Sequence, residues 1–547
     1  MKRHTLLTSA VALAALSGCA LGPDYQRPDV DLPASYRGSP ATPTDAAVKT
    51  PAFSEQDWRQ VFTDPNLQKL IEEALSAGPD ALLAAERLRE AQALAGVAQA
   101  PLFPQVSASL NTSPTVRASG DTVTSSFMGG VGISWEIDLW GRYRRGDEAA
   151  RAELLASAEA QQGVRASLIA GVARTYCQLV TLRDTLAVTQ SAAQTQEQVL
   201  RLIKRLSASG VSSAAEERQQ ESVLATTQAR LPTLRRQINE TENALSLLLG
   251  RHPGAFSTSA GLSLKLPQQI PVGLPSTLLE RRPDIRQAEA RLVAANARVG
   301  EARAMFFPTL SLTAMLGGVS TQLSEVLGGG APTVASLGPN VLLPLFDGRR
   351  LTFNQDAAMA RMAQALVSYR KTILGALGEV ANGLTAYDTS TELVGIQRQR
   401  VAIAREAMRL AELRFRAGTA GFIEVLDAQR QLLTTETEQA QTVLDQRSAL
   451  IGLYLALGGG WSATDTDITS KRVAFCGVGA AGELAGAPWV GGAQPVRSLF
   501  HDPSPPSRLY EHINVQRRTG SRAQLPCRTA VQYMRLNFPP VAAISVC

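Results

Sequence analysis

The sequence has few of the residues, and none of the short motifs, that most catalytic and metal sites require. Its 547 residues include five cysteines and four histidines, without a CxxC or a Cys/His spacing that suits a metal ion. A GxxxxGK[ST] phosphate loop, an HExxH helix and a GxSxG elbow are also missing. We therefore predict that the protein is not an enzyme and binds no metal ion or free cofactor.

Long apolar runs are scarce as well. After the N-terminal apolar stretch, no segment approaches the roughly 20 apolar residues of a transmembrane helix. Any further crossing of a membrane would therefore have to use β-strands.

An excess of one charge is confined to the ends of the chain. The net charge is +6, but the segment from Trp461 to Cys547 alone has nine Lys and Arg against five Asp and Glu. Two more basic residues, Lys2 and Arg3, belong to the N-terminal stretch, so the body of the chain is close to neutral. A neutral body with interspersed charges binds polyanions poorly, and we predict no nucleic-acid partner.

The N-terminus has the features of a lipoprotein signal peptide. Two basic residues precede an apolar stretch from Leu6 to Leu16, which is too short for a membrane span. Leu16-Ser17-Gly18-Cys19 follows, with small residues at a cleavage site and a thiol that can accept lipid. We predict removal of residues 1–18 and acylation of Cys19, and Ala20 after the cysteine favours the outer membrane. An ordinary secretory signal that happens to end in a cysteine is the alternative.

The chain contains a tandem duplication. Pro79-Asp80 precedes Phe103-Pro104 by the same spacing that separates Pro283-Asp284 from Phe307-Pro308. Further pairs follow in order: Gly96 and Gly300, Gly141-Arg142 and Gly348-Arg349, Gly210 and Gly418, Leu249-Gly250 and Leu457-Gly458. We place a lipid-anchored segment at residues 19–64, the first repeat at 65–270 and the second at 271–461. Each repeat is predicted to run helix, β-segment, long helix, turn and helix.

Both repeats contain segments in which apolar and polar residues alternate, at about residues 105–140 and 309–346. The apolar positions are Phe127, Val131, Ile133, Trp135, Ile137 and Leu139 in the first repeat, and Leu310, Leu312 and Ala314 in the second. Each repeat has two such strands around a Gly/Ser/Thr-rich connection, Ser113–Ser126 or Gly317–Gly338. Soluble hairpins would alternate in the same way, but the lipid anchor favours a membrane. Four strands are too few for a barrel, since single-chain barrels begin at about eight, whereas three copies would supply about 12.

Two segments, about 147–206 and 351–416, have no proline and few glycines. Each is predicted to form a helix of roughly 90–100 Å. In the second segment one apolar row recurs every seven residues, and another row, displaced by two residues, lies on the opposite side. The first row is Tyr387, Val394, Val401, Met408 and Phe415, and the second is Ile396, Ile403 and Leu410. Two opposed rows suit a helix with a neighbour on each side, as in the wall of a tube, although a helix in a bundle core is the alternative.

Several motifs together resemble one family. They are Leu21-Gly22-Pro23-Asp24-Tyr25 with Arg27-Pro28, Asp57-Trp58-Arg59, Asp64-Pro65-Asn66-Leu67, Trp135-Glu136-Ile137-Asp138-Leu139-Trp140-Gly141-Arg142, Glu280-Arg281-Arg282-Pro283-Asp284-Ile285 and Phe306-Phe307-Pro308. As a set they resemble the outer membrane factor lipoproteins, the NodT/OprM branch of the TolC-like channels, over about residues 6–461. The resemblance implies a mainly α fold with membrane β: a homotrimer whose four strands per chain form one β-barrel of about 12 strands, on a long periplasmic α-helical barrel.

The resemblance also implies a function and partners. The protein would be the passive exit duct of a tripartite efflux pump for drugs or other small molecules, located in the outer membrane and extending into the periplasm. Its partners would be a periplasmic adaptor and an inner-membrane pump, often of the resistance-nodulation-division class. The alternative is a periplasmic scaffold lipoprotein without channel activity, which would explain the helices but not the alternating segments.

Two turns, at residues 208–212 and 416–420, each join a long helix to a returning one. Gly210 and Gly418 permit the left-handed backbone that ends a helix. The resemblance implies that these turns, with Val211 and Thr419, form the periplasmic tip that meets the adaptor. A plain helix–helix turn is the alternative.

Two acidic residues follow the second turn. Glu424 and Asp427 are three apart and share one helical face, while Val425 and Leu426 turn toward neighbours. By resemblance, three copies would place six carboxylates around the narrowed periplasmic entrance, a ring that favours cations. The alternative is a surface pair between Asp427 and Arg430, worth under about 1 kcal/mol. Some relatives carry a gate-latching Arg where this chain has an alanine at position 420, so their closing bonds cannot be transferred.

Two features stand apart from the family pattern. Residues 462–547 extend beyond the point where relatives typically end, and their Pro/Gly clusters, three cysteines and lack of periodicity predict a disordered or adventitious tail. A genuine accessory domain is the alternative. Cys177 is isolated within a helical pattern, and we predict that it is a small buried apolar residue.

Overall fold

The computed structural model describes residues 20–38, 53–116, 123–258, 267, 270, 271 and 273–460. Cys19, the predicted signal peptide and the predicted tail lie outside these residues. The chain divides into two units, Met1–Gly477 and Val478–Cys547, and every described residue belongs to the first. None of the described helices is long and apolar enough to cross a membrane.

Long helices dominate the described residues. The helices are α1 (Trp58–Val61), α2 (Pro65–Ala77), α3 (Pro79–Gln99), α4 (Arg142–Ala208), α5 (Ala214–Leu249), α6 (Pro275–Arg281), α7 (Pro283–Ala304), α8 (Leu323–Leu327), α9 (Arg350–Arg416) and α10 (Phe422–Ala456). The strands are β1 (Gln105–Val116), β2 (Val123–Ile137), β3 (Thr309–Ser320) and β4 (Thr333–Leu342). The two long helices, α4 and α9, have 67 residues each, or roughly 100 Å at about 1.5 Å per residue.

The starts of the long helices differ from the sequence expectation. α4 begins at Arg142 rather than near residue 147, because Gly141 has the left-handed φ of 77° that precedes the helix, and Gly146 is accommodated inside it. α9 begins after Arg349, whose φ of 68° makes it the only described non-glycine residue with a positive φ. The structural equivalent of Gly141 is therefore Arg349, one residue later than the sequence alignment of the repeats implied.

The four strands form one antiparallel sheet in the order β1-β2-β3-β4. The glycine-rich connections are shorter than predicted, because all four strands extend into them. Gly317 lies within β3, and a side chain there would clash, because its Cβ would overlap the Gly129 carbonyl oxygen on β2. The two strands therefore approach closely where both carry glycine. The second connection also contains the short helix α8, which the sequence did not predict.

The main core lies between the long helices and the N-terminal part of the chain. Its largest fully buried side chains include Phe62, Tyr176 and Tyr369. Cys177 belongs to the same core and is completely buried, which confirms the prediction for this residue.

The two apolar rows of α9 have different environments. Four of the five members of the first row are buried, at 3% (Tyr387), 3% (Val394), 3% (Val401) and 8% (Met408) exposed, and Phe415 is partly buried. The opposite row is open, with Ile396 47%, Ile403 61% and Leu410 45% exposed. Within the described part of the chain, one side of the helix is therefore buried and the opposite apolar side is largely exposed.

The shorter helices stack end to end beside the long ones. α5 ends at Gly250, where a Cβ would lie 2.7 Å from the Ala77 carbonyl oxygen just before α3. α10 ends against the start of α7, where the Arg282 guanidinium donates a 3.0 Å hydrogen bond to the Ala456 carbonyl oxygen. Each repeat therefore contains a long helix next to two short helices in line.

Candidate functional site

The sheet has one apolar and one polar face. The apolar side chains on one face are Val106, Ala108 and Leu110 of β1, Phe127, Val131, Ile133 and Trp135 of β2, Leu310, Leu312, Ala314 and Leu316 of β3, and Ala335, Leu337, Pro339 and Val341 of β4. Several are largely exposed, including Val106 at 67%, Leu337 at 83% and Val341 at 64%. The sequence had identified this face on β2 and the start of β3 but not on β1 and β4. A contiguous exposed apolar face of this kind marks a surface that contacts a membrane or another protein.

The opposite face of the sheet is mainly polar, although it also includes Met128, Met315, Val334 and Leu342. It carries Gln105, Ser107, Ser109 and Asn111 of β1, Ser134 and Glu136 of β2, Ser311 and Thr313 of β3, and Ser336 and Asn340 of β4. β1 and β4 form the two edges, so each has one row of backbone groups without a partner in the described sheet. Unpaired edges of this length are templates for pairing with another chain.

The two turns between long and returning helices have the same hydrogen-bond pattern. Gly210 has a φ of 76° and Gly418 a φ of 71°, and a Cβ at either position would meet nothing within 4 Å. The Val211 amide donates to the Leu206 carbonyl at 2.9 Å, and the Thr419 amide donates to the Arg414 carbonyl at 3.0 Å. This six-to-one bond with a left-handed residue is the Schellman ending of a helix. Both turns are exposed, with Val211 at 75%, so they are free to meet a partner.

A separate apolar cluster holds the two helical hairpins together next to these turns. We call it the tip cluster, and its buried members are Ile203, Val223, Met408, Ala411, Phe422, Val425 and Leu426. The Phe415 and Phe422 rings lie 5.3 Å apart across the second turn. The side chains of Val425 and Leu426 point into this cluster, being only 2% and 1% exposed, which leaves Glu424 and Asp427 on the outer face of α10.

The two acidic residues have different partners. Glu424 accepts a 3.0 Å hydrogen bond from Arg414 at the end of α9. Asp427 lies 3.7 Å from the Arg430 guanidinium, outside hydrogen-bond distance, and its side chain is 69% exposed. The sequence did not identify Arg414, because this contact depends on how the turn folds back. In one chain, therefore, Asp427 carries the less compensated of the two negative charges.

A family model described as "Outer membrane efflux protein" matches residues 70–251 and 274–459. The toluene efflux pump outer membrane protein TtgC of Pseudomonas putida is 35% identical over 466 residues, covering 84% of this chain and 96% of the relative. The pyoverdine export outer membrane protein OpmQ of Pseudomonas aeruginosa is 32% identical over 484 residues, covering 86% of this chain and 99% of the relative.

Solved channel structures have the same fold. The outer-membrane channel OprN has a TM-score of 0.71 at 31% identity, covering 81% of this chain and all of that one. The MtrE outer membrane channel of Neisseria gonorrhoeae has a TM-score of 0.73 at 29% identity, covering 81% of this chain and 99% of that one. The chain belongs to the outer membrane efflux protein family, and its TolC-like fold class and its function as an outer-membrane efflux channel are confirmed.

Proposed function

We propose that the protein works as a homotrimer, anchored by lipid on Cys19, and forms the passive exit duct of a tripartite pump for small molecules. A periplasmic adaptor and an inner-membrane pump, of the resistance-nodulation-division class, supply the cargo and the energy. The duct itself needs no catalytic site, and we propose that it is not an enzyme. The periplasmic scaffold without channel activity, the alternative in the sequence analysis, is not supported by the family match.

The observation that carries this proposal is the amphipathic sheet with two open edges. Its apolar face suits lipid, its polar face suits a water-filled interior, and its edges β1 and β4 suit pairing with neighbouring copies. Three copies supply about 12 strands, within the range of outer-membrane barrels. The open apolar row of Ile396, Ile403 and Leu410 supports neighbours along the helices as well.

Ion conductance of the purified protein in a planar bilayer separates the two functions. A duct gives discrete conductance steps, whereas a scaffold gives none. The matched control is the same chain with Leu337→Arg, which puts a charge on an 83% exposed position of the proposed lipid face. A charge there costs about 2–4 kcal/mol near the membrane centre and less near its surface, so membrane insertion falls. No conductance from the parent protein, with the trimer intact, would contradict the channel proposal.

We propose that the turns around Gly210 and Gly418 are the docking tip for the adaptor. Thr419→Arg puts a long cation on this surface without changing the glycine backbone. Thr389→Arg is the matched control, because both hydroxyls donate to a backbone carbonyl and both residues are exposed on or next to α9. The two positions are 30 residues apart in sequence, or roughly 45 Å along a helix.

The expected result is loss of efflux with Thr419→Arg and normal efflux with Thr389→Arg, at equal trimer levels in the membrane. Gly210→Trp and Gly418→Trp are also expected to abolish efflux. The added side chains have open space around them, although both positions have a positive φ that is unfavourable for tryptophan. Normal efflux from all of the tip variants would exclude the tip as the docking surface.

We propose that Glu424 and Asp427 of three chains form the acidic ring of the periplasmic entrance. Asp427 is expected to contribute more than Glu424 to cation selectivity, because Asp427 is largely exposed whereas the charge of Glu424 is compensated by the ion pair with Arg414. Asp427→Asn is therefore expected to reduce cation selectivity and block by multivalent cations more than Glu424→Gln does. Single-channel recordings measure both effects. Glu197→Gln on α4, an exposed acid paired with Arg201 at 2.9 Å, is the control. Unchanged selectivity in the double variant would leave these acids as surface charge.

The lipid anchor is tested by labelling. Cys19→Ser removes the thiol that would be acylated, so labelled palmitate should enter the parent chain and not the variant. Equal incorporation into both chains would show that the anchor lies elsewhere.

A further inference from the structure

The residues that follow Cys19 form an extended strap, residues 20–36, which runs antiparallel to α7. At its start the Leu21 amide donates to the Trp140 carbonyl at 3.1 Å, at the junction between β2 and α4. Further along, Asn296 donates to the Pro23 carbonyl at 2.9 Å, and Arg27 pairs with Glu289 at 2.7 Å. The strap therefore has one defined register along α7, beginning at the foot of the sheet.

One buried guanidinium holds the start of the strap. The Arg145 side chain is 6% exposed and donates to the Leu21 carbonyl at 3.2 Å and to the Gly22 carbonyl at 3.4 Å. It also forms ion pairs with Asp24 on the strap and with Glu148 on α4, both at 2.7 Å. A single side chain thus contacts three groups of the strap, on residues 21, 22 and 24. Charge-assisted bonds of this kind are stronger than neutral ones, and the planar fork of arginine fits several acceptors at once.

The strap is seated on glycines. A Cβ on Gly22 would lie 2.5 Å from the Gly300 Cα, and a Cβ on Gly300 would lie 2.7 Å from the Leu21 carbonyl oxygen. A Cβ on Gly141 would lie 2.8 Å from the Ala20 Cα. These contacts leave no space for a different register of residues 20–22.

The internal duplication provides a comparison within the same chain. The position in α9 equivalent to Arg145 is Phe353, three residues after the helix start, and this ring is 58% exposed. The residue in α3 equivalent to Gly300 is Gly96, and a Cβ there would meet nothing within 4 Å. Among the described residues, the clamp therefore occurs in the first repeat, where the strap lies, and is absent at the equivalent position of the second.

We propose that Arg145 is a positioning residue for the lipid anchor: it holds residues 20–24 on α4 and α7, so that the acyl chains of Cys19 emerge beside the foot of the sheet. This inference rests on the proposed acylation of Cys19. Because consecutive Cα atoms lie about 3.8 Å apart, the seated Ala20 keeps the attachment point of the lipid close to Gly141. The anchor and the apolar sheet face of one chain then enter the same patch of membrane, which favours insertion of the sheet over tethering alone.

Hydrogen–deuterium exchange of the full trimer in lipid nanodiscs tests the clamp. Arg145→Ala is expected to raise exchange of the Leu21 amide and of the strap peptides by about tenfold or more, since each 1.4 kcal/mol is a factor of ten. In Arg145→Lys, the exchange of the strap amides is expected to be intermediate between that of the parent and that of Arg145→Ala, because an ammonium cannot satisfy all of the acceptors at once. Arg151→Ala on α4, whose partner Asp147 is one turn away at 2.9 Å, is the control and should leave the strap unchanged. Unchanged strap exchange in Arg145→Ala would overturn the clamp.

A comparison with and without lipid tests the positioning role. The parent chain and Arg145→Ala are each secreted in two forms, one with Cys19 and its own signal, and one from an ordinary signal that leaves Ala20 first. In the acylated form, Arg145→Ala is expected to slow the appearance of membrane-inserted trimer by about tenfold. In the form without Cys19, the same substitution should have little effect, because there is no anchor to position.

Equal slowing in both forms would overturn the proposal, since Arg145 would then act only on folding. No slowing in either form would overturn it as well. Palmitate incorporation into each acylated form, measured in the same cells, distinguishes failure of the proposed acylation of Cys19 from failure of the proposed role of Arg145. Absence of palmitate from the parent chain contradicts the lipid anchor itself, whereas normal labelling with equal slowing contradicts only the role of Arg145.

Discussion

The joint between α7 and α10 depends on one buried arginine. Arg282 is 8% exposed, and its guanidinium contacts groups on three helices. It donates to Asp284 of α7 at 2.7 Å, to Glu379 of α9 at 2.8 Å and to the last-turn carbonyl of Ala456 on α10 at 3.0 Å. A cation at the C-terminus of a helix also interacts favourably with the helix dipole. We expect Arg282→Met, which keeps the apolar stem and removes the charge, to loosen this joint.

The magnitude follows from the exposure of the partners. Removing one member of a fully buried ion pair costs about 3–5 kcal/mol. Asp284 and Glu379 are 45% and 60% exposed, so water can solvate both carboxylates after the substitution and the cost is lower. The Ala456 carbonyl loses a charged donor, which adds about 1 kcal/mol. We therefore expect a local cost of about 2–3 kcal/mol, or a roughly 30- to 150-fold change in an opening equilibrium.

Hydrogen–deuterium exchange measures this local opening directly. The amides of the last turn of α10 and the first turn of α7 should lose protection by the factor given above, while the tip cluster keeps its protection. Arg298→Ala, on the same helix, is the control, because Arg298 pairs with Glu153 at 3.2 Å and is 51% exposed. An exposed pair is worth under about 1 kcal/mol. Equal protection in Arg282→Met and the parent would refute the reasoning and show that apolar packing alone holds the joint.

Three further predictions concern other parts of the chain. Burial raises the pKa of the Cys177 thiol to about 12, so at pH 8 this cysteine should resist maleimide in the native protein and react after denaturation, as mass spectrometry would show. Arg349→Gly should stabilise the protein by about 1 kcal/mol by relieving a left-handed backbone, and should raise the thermal midpoint. Hydrogen bonds from the Ser212 hydroxyl and the Ser213 amide lower the pKa of Glu216 in the capping box of α5. The Glu216 carboxylate therefore stabilises the start of α5 fully above the ordinary carboxyl pKa, and this stabilisation is lost as the pH falls through the lowered pKa. Protection of the first turn of α5, corrected for intrinsic exchange, should fall on acidification in the parent and not in Glu216→Gln.

The periodic features of this protein could be read from the sequence because each depends on neighbours along the chain. Alternation with a period of two predicted the strands, and rows with a period of seven predicted the long helices and the two apolar sides of α9. The repeated Pro-Asp and Phe-Pro pairs predicted the duplication. The glycines of the turns were identifiable because a helix end with a left-handed residue requires little more than local backbone geometry.

The positions of single polar contacts were decided only by the tertiary structure. Arg414 meets Glu424 because the turn reverses the chain, Arg282 reaches Ala456 because α7 and α10 stack end to end, and Arg145 clamps residues more than a hundred positions earlier. Sequence periodicity carries no information about which arginine among many finds which carbonyl or carboxylate. The same limit explains the missed helix α8 and the one-residue shift at Arg349. Both features depend on how strands and helices that are distant in sequence pack together, and a local sequence pattern contains no information about that packing.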